Sequence, residues 1–194
     1  MNYPALLSQV QAYATNSFHQ SAMGEHVYHN RQHTESVASF ASQIATHYKL
    51  NERDYFVVVA AAWMHDLGYA IDRMTHEIKG AEATQQFLVG LDVPKEDIDS
   101  IRDCILSTKM PQSPHNLPEE IVCDADLFHI GTKQFSDNNK LVRKEWEEVK
   151  HIKVNKDEWR LKTIRFFEAH QYHTDYAKEI LNEANQAANS GCCG

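Results

Sequence analysis

The chain has 194 residues and a formal net charge of −8, with no long cluster of Lys or Arg. This excludes a duplex nucleic-acid binder held by phosphate contacts, which needs a basic face. No apolar run approaches the roughly 20 residues of a membrane span, and "MNYPALLSQV" lacks the charged and apolar segments of a secretory signal, so a cytoplasmic location is expected.

In chain order, residues 3–20 place Leu6, Val10, Tyr13, Ala14 and Phe18 on one helical face. Residues 30–49 do so more cleanly through Val37, Phe40, Ala41, Ile44, Ala45 and Tyr48. His33 lies four residues before Val37, which puts its imidazole on the core-facing stripe. Residues 52–67 are apolar nearly all round, as a central helix would be. The "VVV" in that segment would also suit a strand. The Ala-Ala-Ala-Trp-Met that follows, and the length, favour helix, and Gly68 is placed to stop it.

Further helices are expected over 75–91, 95–107, 117–130, 134–150, 157–171 and 174–188. Pro94 and Pro118 suit first turns, and the three prolines of "STKMPQSPHNLP" mark a loop. There is no alternating strand pattern and no internal repeat. The expected fold is all-α: a single helical-bundle domain over residues 1–188, with 189–194 a disordered tail. Cys104 and Cys123 read as core thiols and Cys192 and Cys193 fall in the tail. Without a C-x-x-C pair or a disulfide scaffold, a reducing compartment is expected.

The chemistry concentrates where apolar segments break. The run Tyr55–Met64 ends directly on His65-Asp66, and "IVCDADLFHI" interrupts another apolar run with acids, Asp126 among them. With His33, three apolar helical segments each turn a metal-capable group inward. Each could be a core polar group satisfied by the protein, since a buried imidazole or carboxylate is costly only when unpartnered. A divalent cation would satisfy all of them together. Two imidazoles and two carboxylates suit Mn, Fe, Ni, Co or Zn better than Ca.

The order His…His-Asp…Asp on a helical chain resembles the HD-domain superfamily of metal-dependent phosphohydrolases. The matching stretches are "YHNRQHTESV" (28–37), "AAWMHDLGYA" (61–70) and "VCDADLFHIG" (122–131). The motif-bearing core spans about residues 25–135. The stretches "KLVRKEWEEV" and "IRFFEAHQYHT" look like the C-terminal helices of the superfamily's small stand-alone members. The resemblance implies metal ligation by His33, His65, Asp66 and Asp126. Asp124 competes in the last motif, and the family pattern favours the Asp directly before Leu127. The chain departs from alarmone hydrolases of this superfamily, which carry a Glu-Asp pair just after the doublet.

The resulting expectation is hydrolysis of a small phosphorylated compound, a nucleotide first among them, by attack of metal-activated water. A non-catalytic metal- or nucleotide-binding module is the alternative. One cation would be firmly bound, with a second possible through Asp66 and with His76 or His115 as contributors. Around the ligands, Glu77 could take a proton and His76 give one. Lys79, Arg31, Arg143 and Arg165 could bind phosphate, and His29 could touch substrate or cap the helix. Trp146, Trp159, Phe166 and Phe167 read as core. Composition leaves the oligomeric state open.

Overall fold

The computed structural model describes residues 1–20 and 26–181. The helices are α1 (Tyr3–Gln20), α2 (Arg31–His47), α3 (Glu52–Met64), α4 (His76–Val89), α5 (Lys95–Ser107), α6 (Leu117–Asp126), α7 (Phe135–Lys150) and α8 (Lys156–Ala169), followed by α9 (175–181). Short 3-10 turns cover Leu67–Ala70 and Phe128–Gly131. Among the described residues there is no strand, so the fold is all-α, and no helix is long and apolar enough to cross a membrane.

Helix α3 is the axis of the core. Asn51 caps its start by accepting the N–H of Asp54 at 3.0 Å. Every residue from Phe56 to Met64 is buried, because α1, α2, α5 and α6 pack around the helix. An all-round apolar sequence is stable as a helix only in such surroundings, and each fully buried Val, Ile or Phe contributes about 1.5–3 kcal/mol. One end of α3 is pinned by charge. Arg53 Nε donates to the buried Asp97 of α5 at 2.5 Å, and the Tyr3 hydroxyl of α1 donates to the same carboxylate at 3.1 Å. The other end carries His65-Asp66.

Two expected boundaries move. The predicted helix 52–67 ends at Met64 and the predicted 117–130 ends at Asp126, each continuing as a 3-10 turn. Asp66 leaves the straight helical path at the start of its turn, whereas Asp126 is the last residue of α6. The aromatic residues of α7 and α8 also differ from expectation. No residue of α8 is buried and Trp146 is exposed. The two helices touch through Phe135 against Phe167 and a hydrogen bond from Trp159 Nε1 to Asn139 at 3.0 Å. Cys104 and Cys123 are buried free thiols. Cys192 and Cys193 lie outside the described residues.

Candidate metal centre

Four residues meet from three helices. Asn30 caps α2 by accepting the N–H groups of Gln32 and His33 at 2.9 and 3.2 Å. It thereby fixes His33 in the first turn, facing the core. His65 and Asp66 leave the end of α3, and Asp126 closes α6. His33 Nε2 lies 3.4 Å from Asp66 Oδ2 and 3.4 Å from Asp126 Oδ1. His65 Nε2 lies 3.1 Å from Asp66 Oδ2 and 3.5 Å from Asp126 Oδ1.

The orientation of His65 is set from behind. Its Nδ1 faces the Ala62 carbonyl at 2.9 Å. A carbonyl only accepts, so Nδ1 carries a proton and Nε2 is turned to the cluster, the usual arrangement for a ligating imidazole. His33 Nε2, His65 Nε2 and Asp66 Oδ2 are all buried without a hydrogen-bond partner. Three orphaned polar atoms pointing at one another would be costly, and a cation is the partner that satisfies all three. His33, His65 and Asp66 form a group that could hold a metal ion; Asp126 lies outside that group but within 3.5 Å of both imidazole nitrogens. In the protein alone the four groups share their charges. Burial opposes an imidazolium at His65, but Asp66 and Asp126 outweigh it and raise its pKa well above the ordinary value. His33 shifts the same way. Burial likewise opposes ionisation of Asp66, yet His65 and His33 hold its carboxyl well below the usual range.

Asp124 takes a different place. Its carboxylate accepts the backbone N–H groups of His173 and Thr174 at 2.8 and 2.7 Å and the Thr174 hydroxyl at 2.6 Å, which caps α9.

A close backbone contact positions the next group. A Cβ on Gly68 would lie 1.9 Å from the His76 carbonyl oxygen and 2.6 Å from Gly80 N. Only glycine lets α4 start this close to the turn after the doublet. As a result His76 Nε2 comes within 3.9 Å of Asp66 Oδ1 and 3.5 Å of Glu77 Oε1, and Glu77 is buried beside it.

The remaining expected residues divide. His29 lies beside the cluster, its ring 5.7 Å from that of His33, but Asn30 and not His29 caps α2. Arg31 pairs with Glu35 at 2.7 Å and Lys79 with Glu82 at 2.8 Å, both at the surface. Arg143 binds Glu147 at 3.1 Å and the Val154 carbonyl, tying down the α7–α8 connection rather than facing the cluster. Arg165 is exposed on α8 and His115 is exposed in the loop before α6. Residues absent from the expected set also gather here. Tyr28 packs its ring 4.8 Å from His33 and its hydroxyl lies 3.1 Å from His129 Nδ1. Burial lowers the pKa of His129 to about 4, which keeps it neutral. Tyr69 and the buried Glu145 complete the surroundings. A cavity of about 890 Å³ opens between α2 and α7, and His33, Asp126, Tyr28 and His129 form its inner wall.

Residues 30–131 match the family model of the HD domain. The chain belongs to the HD domain family. The match runs from Asn30, the cap of α2, to the end of the second 3-10 turn, so the HD domain family model covers all four clustered residues and none of α7. Among solved structures, the chain is similar to a predicted HD superfamily hydrolase from an uncultured Thermotogales bacterium. The TM-score is 0.62 and the identity 19%, over 99% of this chain and 95% of that one. It is also similar to Bacillus subtilis YpgQ, solved in complex with ADP, with a TM-score of 0.70 and 20% identity over 99% of this chain and 94% of that one. At these identities the likeness is one of fold. A search of curated proteins gives no match.

Proposed function

We propose that this HD-domain protein is a metal-dependent phosphohydrolase acting on a small phosphorylated compound, with nucleotides as the substrate class. The observation that carries the reading is the convergence of His33 Nε2, His65 Nε2 and Asp66 Oδ2, all buried and unpartnered, beside a cavity wide enough for a nucleotide that His33 and Asp126 line. His33, His65, Asp66 and Asp126 are the proposed ligands. A mixed set of imidazoles and carboxylates suits Mn, Fe, Ni, Co or Zn. A cation bound there supplies Lewis acidity, neutralising charge on a phosphoryl oxygen and acidifying a water. The ADP complex of YpgQ, a protein of the same fold, supports the nucleotide class.

The chain's own residues then have separable tasks. Glu77 sits at the buried start of α4 with Oε1 turned to His76, where it can accept a proton from the attacking water. His76 Nδ1 is held by the Arg73 carbonyl at 3.2 Å, so Nε2 is the nitrogen that can give a proton to the leaving oxygen. Asp66 offers Oδ2 to the proposed cation and keeps Oδ1 towards His76.

The test is a screen of the purified protein, with Mn, Fe, Co, Ni or Zn supplied in turn, against a panel of nucleotides and phosphate esters, with Asp126→Ala as control. Metal-dependent release of phosphate or pyrophosphate that the control lacks is the expected result. Tight nucleotide binding without turnover would make the protein a binding module instead.

A further inference from the structure

The cavity between α2 and α7 has two walls of different character. The inner wall holds His33 and Asp126, two of the proposed ligands. Opposite them stand the start of α7 and the turn before it. Lys133 lies in that turn, just beyond the residues that match the HD domain. Among the described residues it is the one lysine or arginine that lines the cavity.

The backbone around Lys133 is held in place. A Cβ on Gly131 would lie 2.7 Å from Leu181 Cβ, so the chain runs tightly against α9 there. The Thr132 hydroxyl donates to the His129 carbonyl at 2.9 Å and accepts the N–H of Gln134 at 3.3 Å. The lysine therefore leaves a braced turn that follows the ligand-bearing end of α6.

The charges single this ammonium out. Three acids line the cavity: Glu35, Asp126 and Asp137. Glu35 pairs with Arg31 and Asp137 with Lys140, each at 2.7 Å, and Asp126 belongs to the cluster. Lys133 makes no hydrogen bond or ion pair among the described residues. A divalent cation held by the carboxylates of Asp66 and Asp126 would leave the centre neutral, so an anion seated beside it gains from a further positive charge. The four cations expected from the sequence to bind phosphate do not supply it. Arg31, Lys79, Arg143 and Arg165 all lie outside the cavity lining, and the first three are paired with Glu35, Glu82 and Glu147.

We infer that Lys133 is a substrate-binding residue whose ammonium donates to a phosphoryl oxygen of the ligand seated in this cavity. The class of ligand, a phosphate ester or anhydride, follows from the phosphohydrolase reading above. An ammonium only donates and a phosphoryl oxygen only accepts, so the pairing has one sense.

The experiment titrates inorganic phosphate into the full chain loaded with Mn and measures metal content in every variant. Lys133→Gln is expected to keep its metal and bind phosphate about tenfold more weakly at about 0.05 M salt, the order of one charged hydrogen bond that stays partly in water. At about 0.5 M salt the difference is expected to shrink to about threefold. Lys133→Arg keeps the charge and is expected to stay within about threefold of wild type. Lys144→Gln removes the same charge from an exposed site on α7, where Lys144 faces Glu148 at 4.0 Å outside the cavity, and is expected to bind phosphate as wild type does. Wild-type affinity in Lys133→Gln, equal weakening in Lys144→Gln, equal weakening in Lys133→Arg, or a metal-loaded wild type that binds no phosphate would each overturn the inference. Metal-dependent turnover in the nucleotide screen would keep the phosphohydrolase reading standing in any of those cases. The expected phosphate results without turnover in that screen would sink the phosphohydrolase reading and leave Lys133 as a phosphate-binding residue.

Discussion

Asp124 and Asp126 stand two residues apart on α6 and face opposite neighbours. Asp124 is fully buried and caps α9 with three hydrogen bonds, whereas Asp126 Oδ1 lies 3.4 Å from His33 Nε2 and 3.5 Å from His65 Nε2. Two residues along a helix turn a side chain by roughly 200°, so one acid cannot replace the other. Asp126→Ala is expected to lose bound metal with little change in the melting of the metal-free protein. Asp124→Ala is expected to keep its metal and lose about 2–3 kcal/mol of stability, because two N–H groups and a hydroxyl lose their acceptor. Metal analysis beside urea unfolding checks both, and an apo Asp124→Ala protein with full stability would refute the assignment.

The site was legible in the sequence where it follows from helical period and local breaks. His33 sits on the same stripe as Val37, and the doublet ends an apolar run, so their inward placement could be read directly. Glu145, Tyr69, Tyr28 and His129 could not be read this way. The partners of Glu145 lie across 116 and 117 residues, and the apolar pattern of α7 points to Leu141 and Trp146, which are both exposed. The available signal was an acid in register with Val142 and Val149, the same kind of break that marked Asp126. Arg143 misled for a related reason. Charge alone suggested phosphate, but the α7–α8 connection leaves the Val154 carbonyl in need of a donor, and Arg143 supplies it.

Gly68 sets the distance between the doublet and α4. Any side chain there meets backbone, at 1.9 Å from the His76 oxygen, so no rotamer relieves the clash. Gly68→Ala is expected to cost at least about 2 kcal/mol and to push His76 and Glu77 away from Asp66. Thermal unfolding reports the first effect and hydrolysis rate at saturating metal the second. Wild-type values for both would show that α4 can shift freely.

Glu77 is assigned to proton transfer and not to ligation. Its Oε1 lies 3.5 Å from His76 Nε2. Glu77→Gln preserves volume but cannot accept the proton, so turnover is expected to fall by ~10²–10⁴-fold with metal content intact. A helix-start acid without this role would cost only about 0.3–1 kcal/mol of stability. Unchanged turnover with metal bound would return Glu77 to that structural role.

Acid should expose the Glu145 contact directly. Burial opposes its ionisation, but His29 and the backbone N–H groups of Tyr28 and His29 prevail and lower its pKa from 4.5 to about 2. A depressed carboxylate pKa contributes stability that is fully present above its unfolded value and is lost as pH falls through the folded one. The window is therefore pH 4.5 down to 2, and the full contribution is about 3 kcal/mol. Glu145→Gln has no such linkage, so its deficit relative to wild type should be largest near neutral pH. Urea unfolding of the chelated proteins is expected to show that gap narrowing by about 2 kcal/mol between pH 6 and pH 3. A gap independent of pH would mean that the carboxylate charge contributes nothing to holding the segment before α2 against α7.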